Sequence, residues 1–293
     1  MKIHPLVIAI LMLMTLTDPS ISSAQSNVQN QSADGAFTAE PITLETPTAT
    51  LYGTLVRPHS RSSMPVVLII AGSGPTDRDG NSPLLKGPNN SLKLLAEGLA
   101  AHGIASLRYD KRGIGETGKA MQLAGEKAKI ALREEDLSFE NYIDDAVRWG
   151  KQLRADRRFS SLTVIGHSEG SLIGMVVAQR MGAGAGRPLQ EIILDQVKSQ
   201  LTPDLLKTTE HILNQLAAGK TAQSVPNDLN MLFRPSAQPF LISWLRYDPT
   251  KEISKLSMPV LIVQGTTDMQ ARLADAKRLA DGNPSAKLLL IEG

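Results

Sequence analysis

Short apolar runs alternate with amphipathic stretches along most of the chain. Pro65-Val66-Val67-Leu68-Ile69-Ile70 is a continuous apolar run of the length and kind found in strands buried on both faces. Similar runs recur at residues 104–109, 162–165, 259–263 and 287–291. Between them the period changes. Residues 91–102 place Leu92, Leu95 and Leu99 on one helical face behind a Ser91 cap and stop at Gly103, and residues 138–153 and 271–280 are amphipathic in the same way. Residues 42–45 and 51–56 read as a hairpin ahead of the first run. Strand and helix in repeated alternation predict an α/β fold, a mostly parallel sheet with helices on both faces.

Two stretches depart from that rhythm. Residues 189–256 carry helical spacing through Ile192, Ile193, Val197, Leu205, Ile212 and Leu216, followed by Phe233, Phe240, Trp244 and Tyr247. They read as a helical lid inserted in the sheet, with the aromatics as lid core. Ahead of the lid, the helix after residue 165 ends near Met181 and runs into Gly182-Ala183-Gly184 with no apolar strand, so one parallel strand is expected to be missing there. Near the start, Met1 and Lys2 precede an apolar run at 6–16 and a small-residue site, Ser22-Ser23-Ala24. Residues 1–24 thus read as a secretory signal, too short in its apolar part for a stable membrane anchor. Residues 25–40, rich in Ser, Asn, Gln and Ala, read as a flexible lead, and 41–293 as one domain of an exported, periplasmic or secreted, protein.

Composition removes some functions. Lys and Arg total 31 against 29 Asp and Glu among 293 residues, without long blocks of either sign, so nothing marks a nucleic-acid surface. The absence of cysteine excludes disulfides and cysteine-linked lipid.

The candidate chemistry starts at Gly166-His167-Ser168-Glu169-Gly170, between an apolar strand and an apolar helix. That context suits a serine on a strained turn, flanked by glycines because side chains there would clash, and makes Ser168 the candidate nucleophile. Acyl transfer also needs backbone donors for an oxyanion and a proton acceptor. The glycine-rich segment Gly72-Ser73-Gly74 after the first long strand supplies one N–H, that of Ser73, and Glu169 supplies the other. Asp268, in Gly265-Thr266-Thr267-Asp268 at another strand end, is placed to orient a histidine. His167 reads as a packing neighbour of the nucleophile. Arg78, Asp79, Asp110 and Arg112 read as loop-fixing ion pairs. Gly113-Ile114-Gly115-Glu116-Thr117-Gly118 fits a dinucleotide fingerprint in letters only, since Asp110-Lys111-Arg112 separates it from its strand and no helix is expected to open inside it.

Three segments taken together, residues 72–81, Arg108-Tyr109-Asp110-Lys111-Arg112-Gly113-Ile114-Gly115 and Gly166-His167-Ser168-Glu169-Gly170, resemble the EstD-type esterases of the α/β-hydrolase superfamily, near its serine aminopeptidase-like and prolyl-oligopeptidase-like groups. The likeness spans about 42–293. It implies an α/β-hydrolase fold, hydrolysis of small carboxylic esters by Ser168 with Asp268 as triad acid, and no metal or organic cofactor. In such proteins the triad histidine follows the last strand. Here none of the five histidines, His4, His59, His102, His167 and His211, lies after Asp268, so the chain as it stands is expected to be truncated and inactive. A serine peptidase, a thioesterase and an inactive binding protein of the same fold remain open alternatives.

Overall fold

The computed structural model describes residues 37–60, 62–128, 133–181, 201–268 and 270–292. Seven strands lie among them: β1 (Phe37–Glu45), β2 (Thr50–Pro58), β3 (Met64–Ile70), β4 (Ala105–Tyr109), β5 (Phe159–Gly166), β6 (Leu261–Gly265) and β7 (Lys287–Ile291). Five form one mixed sheet in the order β1-β2-β4-β3-β5. The β1–β2 and β2–β4 pairings are antiparallel, whereas β4–β3 and β3–β5 are parallel. The other two strands pair in parallel as a separate small sheet. Strand β1 begins at Phe37, so residues 37–40 of the expected flexible lead already belong to the hairpin.

The helices that position the site are α1 (Ser91–Ala101), α2 (Gly115–Ala128), α3 (Phe139–Ala155) and α4 (Glu169–Met181). The continuous apolar run of β3 follows from their placement. Val67 and Ile69 pack with Leu92, Ala96 and Ala100 of α1 on one face, while Val66, Leu68 and Ile70 join α3 and α4 on the other. No polar face is left to β3. Helix α3 starts with a capping box: Ser138 Oγ accepts from the Asn141 amide at 3.2 Å, and Asn141 Oδ1 accepts from the Ser138 amide at 2.8 Å.

Helix α2 corrects the reading of the glycine motif, because a helix does open inside it, at Gly115. Tertiary contact explains this. Asp110 Oδ2 accepts from the Glu116 amide at 2.8 Å and so caps the new helix, while a Cβ on Gly118 would lie 2.5 Å from the Gly113 carbonyl group. The place a phosphate would take is filled by the chain's own carboxylate.

In the insertion, α5 (Pro203–Ala217), α6 (Asn230–Phe233) and α7 (Gln238–Trp244) share a core built on Ile212, Leu213, Leu216 and Phe233. Only Phe233 of the four aromatics is purely lid core. Phe240, Trp244 and Tyr247 instead pack on Phe139, whose ring stacks on Trp244 at 5.4 Å, and Ser243 Oγ accepts from the Phe139 amide at 2.8 Å. The insertion is thereby seated on α3. Helix α8 (Pro249–Ser254) belongs to the main body, since Ile253 is in the central core with Leu279 of α9 (Leu273–Gly282). The expected missing strand and the lid's first residues fall at 182–200, outside the described residues. Among those described, no strand lies between α4 and β6, and β5 pairs only with β3. Its residues are accordingly more exposed than those of β3.

Candidate active site

Strand β5 ends at Gly166, and α4 begins at Glu169. Between them Ser168 holds φ of 53°, a left-handed conformation that costs a residue with a Cβ about 1–2 kcal/mol. The two glycines of the motif are there for space. A Cβ on Gly166 would lie 2.1 Å from the Gly170 carbonyl oxygen, and one on Gly170 would lie 2.3 Å from the Ile70 carbonyl oxygen. Strand end, turn and helix start are thus in backbone contact, and the Ser168 side chain is left exposed at the tip.

Ser168 opens on a cavity of about 1180 Å³ that is also lined by Ser73, Glu169, Trp244, Leu261 and Asp268. Among the described residues, neither the Ser73 N–H nor the Glu169 N–H has a hydrogen-bond acceptor, and the Ser168 hydroxyl has no partner. The Glu169 N–H stands at the start of a 13-residue helix, where the backbone dipoles favour negative charge. Two free donors beside a strained serine can hold an oxyanion.

Asp268 follows β6 on the cavity wall, and its Oδ1 accepts from the amides of Gln270 at 2.8 Å and Ala271 at 3.1 Å. It fixes the next turn while remaining exposed. His167 opens on the same cavity. The residue is exposed to the cavity, yet desolvation by the protein around its ring holds the imidazole below the usual pKa against the opposing pull of the Asp268 carboxylate, and the Lys111 ammonium lowers it further. The structure therefore brings Ser168, Ser73, Glu169 and Asp268 to one cavity, and among the described residues no histidine is hydrogen-bonded to the serine.

Ion pairs hold the loops that carry these groups, as the sequence suggested. Arg78 binds Asp110 through Nη2 at 2.8 Å and also pairs with Glu116, Arg108 Nε binds Asp79 at 2.8 Å, and Arg112 grips Asp145 with two bonds at 2.6 and 2.8 Å. The sequence reading missed one more. Lys111 Nζ lies 2.5 Å from Glu169 Oε1, and both side chains are 2% exposed. A lysine between two charged neighbours reads as solvated surface, and only its place in the shared motif set it apart. Also missed was a contact at the cavity rim, where Arg234 Nε and Ser236 Oγ each donate to Glu134 Oε2 at 2.8 Å and join the insertion to the body. Burial would raise the Glu134 pKa, but these bonds outweigh it and leave it lowered. Among the described residues no group of three or more His, Cys, Asp or Glu side chains is arranged to hold a metal ion, and no helix is long and apolar enough to cross a membrane.

The turn that presents Ser168, and the order in which sheet, turn and helical insertion follow one another, are those of the α/β-hydrolase fold. Known proteins agree. The serine aminopeptidase, S33, family matches residues 90–235. Esterase EstD of Thermotoga maritima is 29% identical over 252 residues, covering 83% of this chain and 56% of that protein, so the chain spans little more than half of that relative's length. Among solved structures, Est1E from Butyrivibrio proteoclasticus with bound ferulic acid is similar with a TM-score of 0.56 at 16% identity, covering 86% of this chain and 89% of that one. The Pyrococcus furiosus esterase Pf2001 gives 0.54 at 15% identity, with 89% and 85% covered. The chain has the α/β-hydrolase fold.

Proposed function

We propose that this chain carries a carboxylic-ester hydrolase site with Ser168 as nucleophile. The observation that supports it best is the left-handed Ser168 placed beside two backbone N–H groups that have no acceptor among the described residues. The Ser168 oxygen bonds to the acyl carbon as its proton passes to a base, and the oxyanion rests on the N–H groups of Ser73 and Glu169. Collapse expels the alkoxide, which takes the proton, and water then releases the acid from the acyl-enzyme. Asp268 is the carboxylate that orients the base. The likeness to an esterase favours the ester over the amide, and the residue pattern of 1–24 supports export to the periplasm or beyond.

A fluorophosphonate probe tests the nucleophile directly, since it transfers its phosphonyl group to an activated serine with loss of fluoride. A mass increment on Ser168 in wild type, absent from Ser168→Ala, is the expected result. No adduct on Ser168 overturns the proposal. Hydrolysis of a short-acyl nitrophenyl ester is measured beside this, with and without added imidazole as proton acceptor. Imidazole-dependent turnover that Ser168→Ala lacks would show that proton acceptance from Ser168 limits the reaction. The match to the serine aminopeptidase family makes an aminoacyl nitroanilide the control substrate, and faster cleavage of that amide than of the ester would replace esterase by peptidase.

A further inference from the structure

Lys111 lies in the loop between β4 and α2, 2% exposed, with its ammonium directed at the turn that carries the nucleophile. Its Nζ donates to the Gly72 carbonyl oxygen at 2.7 Å and to Glu169 Oε1 at 2.5 Å, and it sits 5.1 Å from the centre of the Tyr142 ring. The Gly72 carbonyl belongs to the same peptide unit as the Ser73 N–H. In a trans peptide the two point in opposite directions, so whatever holds the carbonyl aims the N–H. Glu169, the other partner, is the residue whose own N–H opens α4.

We propose that Lys111 is the positioning residue of the oxyanion site, holding one donor peptide by its carbonyl and the other donor residue by its carboxylate, so that both N–H groups are set from a single ammonium. This rests on the esterase reading above.

Three physical points support it. A fully buried ion pair is seldom more stable than apolar side chains of the same size, so its presence here calls for a role other than stability. A charged donor on the Gly72 carbonyl also polarises that amide and strengthens the Ser73 N–H as a donor. Finally, Glu169 balances the lysine's charge, so that the developing oxyanion meets oriented dipoles and is not drawn into a salt bridge with a mobile cation.

The full chain is compared with Lys111→Met and with the double variant Lys111→Met/Glu169→Met, by phosphonylation kinetics, thermal unfolding and the amide resonances of Ser73 and Glu169. Loss of one oxyanion donor costs about 10²–10³ in rate, so misaiming without removal is expected to slow the maximal phosphonylation rate about tenfold to a hundredfold while the half-saturating probe concentration changes less than about threefold. The single variant leaves a buried carboxylate unpaired and melts lower, whereas the double variant recovers most of the melting temperature but not the rate. Both variants shift the Ser73 amide resonance, and the single variant also shifts that of Glu169. A double variant that reacts at the wild-type rate, or amides that do not move, overturns the inference. Amides that move in a chain whose Ser168 never reacts overturn the esterase reading instead and leave the positioning role standing.

Discussion

Gly166→Ala is the sharpest perturbation of the turn that carries Ser168. Its new methyl carbon would stand 2.1 Å from the Gly170 carbonyl oxygen, 2.3 Å from that carbonyl's carbon and 2.5 Å from the Ser171 amide nitrogen. All three are backbone atoms, so no side chain can swing aside. Nonbonded heavy atoms settle at about 3.5–4.0 Å, so the first turn of α4 must retreat by more than about 1 Å. That retreat works against the Gly170 and Ser171 amides, bonded at 2.8 Å to the His167 and Ser168 carbonyls, and against Ser171 Oγ, bonded at 2.8 Å to the Gly166 carbonyl. Overpacking costs about 1–3 kcal/mol, and rigid backbone on every side places this case near 3. At about 2–4 °C per kcal/mol, the melting temperature falls by about 6–12 °C. A displacement of about 1 Å at the reacting atom lowers the phosphonylation rate about a hundredfold. Gly98→Ala is the control: it lies exposed in α1 with nothing within 4 Å of the added carbon, and it should gain about 0.5–1 kcal/mol. Differential scanning fluorimetry and probe kinetics read both. A Gly166→Ala protein melting within about 1 °C of wild type and reacting within about twofold refutes the reasoning.

Ser168→Gly removes the cost of the positive φ and should stabilise the fold by about 1 kcal/mol while abolishing phosphonylation, and an unchanged denaturation midpoint would count against strain at that residue. Arg112→Met leaves Asp145, 2% exposed, without its cation and should cost about 3–5 kcal/mol by urea denaturation, whereas Arg112→Met/Asp145→Leu recovers most of it; a double variant as unstable as the single would show that the pair is more than a pair. His167, followed by NMR, should titrate below the usual imidazole value of about 6.5, lower still in Asp268→Asn and higher in Lys111→Met, and a value at or above 6.5 would contradict its placement. Because its folded pKa is depressed, the stability it contributes is complete above the unfolded pKa and is lost as pH falls through the folded one, a loss that His167→Gln should remove.

What the sequence revealed and what it hid divide along physical lines. The apolar run of β3 announced a central strand correctly, because helices cover both its faces. Equal runs in β6 and β7 announced strands but not burial: Leu261, Val263, Leu289 and Ile291 are all about half exposed, since an apolar run shows what can be buried and not what covers it. Strand β1 began earlier than expected because Phe37-Thr38-Ala39-Glu40-Pro41 is edge-strand sequence, weakly patterned and tolerant of proline. Helix α2 was hidden by two glycines, and its start depends on Asp110 and Arg78, residues that only the fold brings to it. Gly166 and Ser168 were legible since their constraint is local, whereas that on Gly170 comes from the end of β3. Lys111 was not, because its partners lie 39 and 58 positions away.

That contrast bears on what the three motifs are for. Residues 72–81, 108–115 and 166–170 lie in or beside the loops that follow β3, β4 and β5, and in a parallel arrangement those loops meet at one end of the sheet. Their charges are matched across motifs: Arg78 with Asp110, Arg108 with Asp79, and Lys111 with Glu169. Arg112 turns away instead, to Asp145 on α3, and Asp77 accepts from the Asp79 and Asn81 amides of its own loop. Desolvating so many charges adds little to stability, and apolar side chains of equal size would hold the loops together as well or better. Apolar contacts, however, do not fix the direction of a peptide plane, whereas a hydrogen bond from a buried cation does. The pattern is therefore that of a site in which aim matters more than cohesion. Neutralising the pairs two residues at a time should cost reactivity at Ser168 far more than it costs melting temperature, and an equal loss of both would show that the charges serve the fold alone.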